Sequence, residues 1–320
     1  MRRRDLLTSA AVALACATAP RRLRAQTDDL QKLRLVAVPT DALTPLYYGI
    51  KQGAFQRAGI DLEILPAASG AAAVTAMLGG AYDIANASLL AVLSAHLHDI
   101  PVLIVGPQLL YTPENPFALL QIAVDSPIKT GADLDGKIVA VSALNDLNQL
   151  AISSWVDKNG GSSKTLKFVE MPAVATDEAL FQHRVDAGLL PEPILDNSLS
   201  AGRTKTLGDA FGAVAKAFIS SAYIARTDWA SSHSDVLLRF NRVAAQMSAY
   251  TNAHQAETAP MMAEATKIPL AVMLRMKRAV IATTLDDRLV QPLIDAAAKY
   301  QMISHAFPAK EIIWSPRSQG

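Results

Sequence analysis

The sequence predicts an α/β fold of two lobes closing as a clamp, each with a mixed sheet, followed by a helical C-terminal third. Three observations predict it. Short apolar runs alternate with helical stretches from Leu33 onward, the pattern of parallel strand–helix units. The stretch "YTPENPF" (Tyr111–Phe117), rich in proline and asparagine, breaks that rhythm as a crossing between lobes does. Beyond Ala225 the pattern turns helical.

Leu33–Val38 is an apolar run stopped by Pro39 and reads as a buried strand. Thr44-Pro45 offers a cap and a first-turn proline for a short helix and turn over Leu46–Arg57. Leu62–Leu65 is a second strand, and Ser69-Gly70 opens a helix over Ala71–Leu78 that Gly79-Gly80 ends. Ile84–Ala87, the helix Ser88–Leu97 and the strand Val102–Val105 follow. After the crossing come strands at Phe117–Val124, Lys137–Val141, Leu166–Val169 and Ala187–Leu190. Helices are expected at Asn145–Asn159, Val174–Gln182 and Pro193–Ser200; in the first, Leu147, Leu150, Ala151 and Trp155 fall at helical spacing. Asp83 before Ile84 and Asp186 before Ala187 form a weak echo between two lobes built alike. Ala217–Ala225 carries the chain back, so lobe one is expected at 26–115 and 224–320 and lobe two at 116–223. Helices are then expected at Asp235–Tyr250, Ala259–Ala265, Leu270–Val280 and Arg288–Tyr300, with Pro260 and Pro292 in first turns or breaks.

Residues 1–25 read as a removable export signal of twin-arginine type. Arg3-Arg4 precedes a weakly hydrophobic Ala/Thr-rich stretch, and cleavage is expected after Ala25. That stretch of about a dozen apolar residues is too short for a permanent span. The rival is lipoprotein processing at Cys16, after Ala13-Leu14-Ala15. Cleavage removes six arginines and one aspartate from 30 basic and 29 acidic side chains, turning a net +1 into −4. No basic tract then remains for nucleic acid. Cys16 is the only cysteine, so the exported chain has no disulfide, thiol nucleophile or thiolate ligand.

Catalytic motifs are missing. No H-E-x-x-H, Walker A, G-x-G-x-x-G or G-x-S-x-G occurs, and six histidines are scattered. Neither a cofactor nor a metal is expected. What remains is the set of loops after the strands, where open α/β sheets bind ligands. Ser69, Gly70 and Ala71 open a helix whose free N–H groups suit an anionic oxygen, or Ser69 is a plain cap. Ser88 and Ser142 hold equivalent positions. Thr44, Leu46 and Tyr47 form the first such loop, with Tyr47 able to offer a ring face. Tyr111 and Phe117 flank the crossing as an apolar wall or as hinge packing, and Asn145 either caps its helix or reaches the ligand. Glu192 would favour a ligand with a donor or cationic group, or is a first-turn carboxylate. No arginine lies in any of these loops, which tilts the reading toward a small organic solute.

The run "PLYYGIKQGAFQRAGIDLEI" (Pro45–Ile64), Ser69-Gly70 and "GGAYDIA" (Gly79–Ala85) resembles periplasmic solute-binding proteins of ABC importers, in the NMT1/THI5-like group of sulfonate, taurine, nitrate and pyrimidine-precursor binders. "SPIKTGADLDGKIVAVS" (Ser126–Ser142) resembles the start of such proteins' second lobe, and Glu192-Pro193 their common Glu-Pro. The resemblance implies a periplasmic, non-enzymatic binder that holds a small solute, anionic or heteroaromatic, between its lobes. Its partner would be an inner-membrane permease, and a monomer is expected. Two other functions stay open: a pyrimidine-synthesising enzyme on the same fold, whose cysteine-rich segment has no counterpart here, and a sensing module for a membrane receptor.

Overall fold

The structure, a computed structural model, describes residues 30–316; the expected export segment, Cys16 included, lies outside them. β1 (Gln31–Ala37) buries Leu33, Leu35, Val36 and Ala37, using both faces at its end as a central strand must. The single helix expected after it is two: α1 (Thr44–Lys51), with Pro45 in its first turn, and α2 (Ala54–Arg57), separated by Gly53 at φ 66°. Then follow β2 (Ile60–Pro66), α3 (Gly70–Leu78), β3 (Ile84–Ser88), α4 (Leu89–Leu97), β4 (Val102–Pro107) and the two-residue β5 (Leu110–Tyr111). A second body holds β6 (Ala118–Ala123), β7 (Ile138–Val141), α5 (Leu147–Lys158), β8 (Lys167–Glu170), α6 (Ala173–Phe181), β9 (Ala187–Pro191), α7 (Ile194–Ser200) and β10 (Thr204–Gly208). The chain returns through β11 (Phe218–Ile219) and β12 (Ser221–Arg226), followed by α8 (Thr227–Ser232), α9 (Ser234–Ala253), α10 (Gln255–Thr266), α11 (Leu270–Arg275) and α12 (Asp287–Lys299).

The first sheet runs β2-β1-β3-β12-β4 and the second, read the same way, β8-β7-β9-β6-β10. In each, three parallel strands meet one antiparallel strand, and that strand is the first to arrive after a crossing. The Asp83/Asp186 echo has a structural cause. Asp83 accepts the Arg34 backbone N–H (2.8 Å) while its own N–H donates to the Arg34 carbonyl (3.0 Å). Asp186 does the same with Ile138 (2.8 and 2.8 Å). Each aspartate pins the strand it opens to the neighbouring parallel strand.

The two crossings pair with each other, β5 antiparallel to β11. The expected single strand Ala217–Ala225 is therefore broken at Ser220, whose N–H turns to the Leu109 carbonyl (2.9 Å). Tyr111, Phe211 and Phe218 are buried around this ribbon with Phe117 against them, and α12 packs behind it on β11, α4 and α5. Pro260 and Pro292 lie inside α10 and α12 rather than in first turns. The expected helix Leu270–Val280 stops at Arg275, and residues 276–282 form an extended strap. Long-range partners take its backbone groups: Leu110 N–H donates to Val280 O (2.9 Å), Ala282 N–H to Gln108 O (2.8 Å), and Ile281 N–H to Asn252 Oδ1 (3.0 Å). Tertiary bonding here overrides local helix preference.

The Tyr111 hydroxyl donates to the Asp209 carboxylate; burial first, and then this bond, raise its pKa. Because the acceptor is charged, Tyr111→Phe is expected to cost about 1.5–3 kcal/mol of stability in urea unfolding. A loss under about 0.5 kcal/mol would show the bond to be dispensable.

Candidate functional site

Strands that run parallel end on one edge of their sheet. The loops after β1, β2 and β3 therefore share one edge of the first sheet, and those after β7, β8 and β9 one edge of the second. The two edges meet around a cavity of about 370 Å3. One wall is the loop Pro39–Ala42 after β1, and the opposite wall is Pro191–Pro193 at the end of β9. Leu109, Asn115 and Phe117 of the crossing form the back, and Thr266, Ile268 and the strap residues Met276–Ala279 close the side. Prolines, alanines, Leu109, Phe117, Ile268 and Met276 make most of this surface apolar, as expected of a site for a small organic molecule.

Four charged side chains line it. Arg278 and Asp41 are a buried pair, with side chains 6% and 12% exposed and Nη2 2.6 Å from Oδ1. Arg278 Nε donates to the same oxygen (2.7 Å), and Nη1 donates to the Gln255 carbonyl (2.9 Å). Nη2 also reaches the Thr44 hydroxyl (3.2 Å), which donates to the Asp41 carbonyl (2.6 Å). The second Asp41 oxygen accepts the Ala279 N–H (2.8 Å). Both charges are thus spent on each other and on the fold. Glu192 differs. One oxygen accepts the Asp196 N–H (3.1 Å), while burial raises the carboxyl above its ordinary pKa. Lys277 stands exposed at the rim, its Nζ donating to the Glu114 carbonyl (3.4 Å).

The NMT1/THI5-like family model matches residues 41–258. The chain belongs to that family. Its fold is that of periplasmic binding proteins. The periplasmic aliphatic sulphonate binding protein SsuA from Escherichia coli is similar at TM-score 0.73 and 17% identity, over 91% of this chain and 94% of that one. The periplasmic nitrate-binding protein NrtA from Synechocystis PCC 6803 is similar at 0.69 and 13%, over 89% and 85%. The Candida albicans CA3427 product, described as having the generic periplasmic binding protein fold, gives 0.69 and 13%, over 91% and 98%. No curated protein matches.

In this NMT1/THI5-like protein the expected site residues separate into three groups. Phe117 and Glu192 line the cavity, and Thr44 stands just behind its wall on Arg278. Ser69, Gly70, Ala71, Ser88, Ser142 and Asn145 lie on the same two strand edges but outside the cavity, all exposed. There Ser69 caps α3 by accepting the Ala72 N–H (3.2 Å), and a Cβ on Gly70 would meet open space. Ser142 donates to Asp146 and accepts from Asn148 Nδ2 (2.8 Å), while Asn145 takes a left-handed φ of 59°. Leu46 and Tyr47 point elsewhere. Leu46 is fully buried among Leu33, Phe55 and Phe240, and Tyr47 packs between that core and the α10–α11 methionines. Tyr111 belongs to the crossing and is absent from the cavity lining. The loops singled out from the sequence hold no arginine, but the strap carries Arg278 into the cavity lining. The only sequence signal for it is a basic pair, Lys277-Arg278, inside a stretch that reads as helix. Among the described residues no group of three or more His, Cys, Asp or Glu could hold a metal ion.

Two outcomes follow for these carboxylates. Asp41→Asn strands a buried guanidinium and is expected to cost about 3–5 kcal/mol in urea unfolding, of which Arg278→Met in the same chain recovers at least half. For Glu192, a raised native pKa means the folded state holds a proton that the unfolded chain has released. Its contribution to stability therefore falls as pH rises from the ordinary glutamate value through the native one. Glu192→Gln should raise the melting temperature near neutral pH, and the gain should vanish below the ordinary glutamate range. A gain independent of pH would refute the assignment.

Proposed function

We propose that this protein is the extracytoplasmic solute-binding component of an ABC importer. It binds a small organic solute reversibly between its two bodies and performs no chemistry on it. Of the described residues, 30–115 and 221–316 form one lobe, with β12 whole in the first sheet rather than divided at residue 223, and 116–220 form the other; residues 1–25 are the export signal. The family membership and the fold shared with sulphonate and nitrate binders support the reading. So does the motif-poor sequence, and among the described residues no helix is long and apolar enough to cross a membrane.

The observation that carries the ligand class is Glu192. It is a half-buried carboxylate reached by the backbone N–H groups of Asp196 and Lys277, with lone pairs left beyond these, in a cavity whose one buried cation is already paired. A ligand bearing an N–H donor or a cationic nitrogen satisfies it; a bare anion does not. Phe117 offers such a ligand an aromatic wall. A cavity of about 370 Å3 suits a single substituted ring. The exposed serines on the two edges would meet polar substituents when the bodies close.

Isothermal calorimetry against aminopyrimidines, alkanesulfonates and nitrate tests this. Aminopyrimidines should bind, and Glu192→Gln should weaken them about tenfold to a hundredfold, the worth of a hydrogen bond to a charged group. Tight binding of nitrate or a simple sulfonate, unaffected by that substitution, would overturn the ligand class.

A further inference from the structure

We propose that Arg275 and Asp196 form an ionic clasp across the mouth of the cleft, which sets the balance between open and closed lobes before any ligand arrives. The inference rests on the reading of the cleft as one that opens and closes about its crossings.

The two partners belong to different bodies. Arg275 ends α11, whose Met273 and the following Met276 are buried with Ala259 and Met262 of α10, against Tyr47 of α1. The strap after it is tied to Asp41, Gln108 and Asn252. Asp196 is in α7, which packs on β9, α6 and β10 of the second body, with Leu195 in that body's core. Between them Arg275 Nε lies 2.7 Å and Nη2 2.6 Å from Asp196 Oδ2, and Nη2 is 3.4 Å from Asn197 Oδ1. Among the described residues, every side-chain hydrogen bond of Arg275 crosses to α7.

The clasp sits where closure must be felt. The Asp196 backbone N–H donates to Glu192, so its anionic half and the cavity's carboxylate share one turn of chain. Bringing Arg275 onto Asp196 brings Glu192 over the cavity. At the rear, the aromatic ribbon and α12 hold the bodies together in either state, leaving the front to decide the separation. The Arg275 side chain is 49% exposed, so solvent screens the pair and its bias is small. A small bias is what a reversible binder requires. A strong tie would close the empty protein and leave a ligand no equilibrium to shift.

The test uses the full chain with Cys16→Ser and dyes on Lys51→Cys and Lys158→Cys, exposed positions on α1 and α5. Single-molecule energy transfer then reads lobe separation without ligand. Arg275→Met should lower the closed-to-open ratio about two- to fivefold at low salt. The effect should fade toward about 1 M salt. Asp196→Asn should do the same, and the double variant should lose no more than either single. Two populations indifferent to both substitutions, or losses that add, overturn the clasp alone. A single separation in every variant overturns the moving-lobe reading and the clasp with it. Neither result bears on which solute binds.

Discussion

The front of the molecule depends on one carboxylate. Asp41 stands in the loop after β1 and receives a guanidinium and a backbone N–H from residues at the far end of the chain. Removing that pair of charges from water is costly, and the cost is offset only because several donors converge on the carboxylate. The return is positional. With Arg278 and Ala279 fixed, the strap cannot continue α11 as a helix, and Met276 and Lys277 are delivered to the cavity. Without Asp41 the strap's N–H groups would need other partners, and the side wall of the cavity would have no reason to stand where it does.

Around that tie, the architecture follows from a symmetry of construction. Both sheets place three parallel strands beside one returning strand, and each returning strand comes from the other body. Crossings of this kind force the C-terminal strand edges to face each other, because a chain leaving one edge enters the next sheet at its matching edge. The cleft is thus a consequence of topology, and the loops only decorate it. The crossing ribbon, its buried aromatic rings and α12 fill the back. Phe117 belongs to both places, packing on Phe211 at a ring distance of 4.5 Å while facing the cavity. A ligand against its ring would therefore lean on the crossing itself.

What could be read from the sequence was what short-range chemistry decides. The strands and most helices of both bodies were legible because apolar periodicity, glycine pairs and prolines mark them locally, with most ends shifted by a residue or two; α9 runs three residues further than expected, α10 begins four residues earlier and α11 ends five residues sooner. The Asp83/Asp186 echo was legible because each aspartate serves the same local bond. Phe117 and Glu192 were legible as residues flanking a crossing and a strand end. Hidden features were those fixed by distant partners. β10 is an edge strand whose pairing with β6 shifts register near its end, β5 has only two residues, and the strap is extended because Asp41, Gln108 and Asn252 hold it. Arg278 was missed for the same reason: as part of a helix it would have no claim on the cleft. Leu46 and Tyr47 show the opposite case. They follow a strand, as site residues do, but α1 begins early enough to turn both into the core.

The fold alone does not transfer a ligand from its structural neighbours. Sequence identities of 13–17% preserve the two sheets and leave the loops free to differ. In this chain the charges that line the cleft are balanced, Asp41 against Arg278, and Glu192 with Lys277 at the exposed rim. On the proposed reading, a permanently anionic solute entering here would force Glu192 to take up a proton or sit beside its charge, and the paired Arg278 would have little to offer it. A solute with a donor nitrogen would meet no such obstacle. It also leaves no buried acceptor unpaired, which is the condition under which a site rejects competitors strongly rather than marginally. The raised pKa of Glu192 has the same origin on the protein's side: burial makes its charge expensive, and on the proposed reading a ligand donor would relieve it.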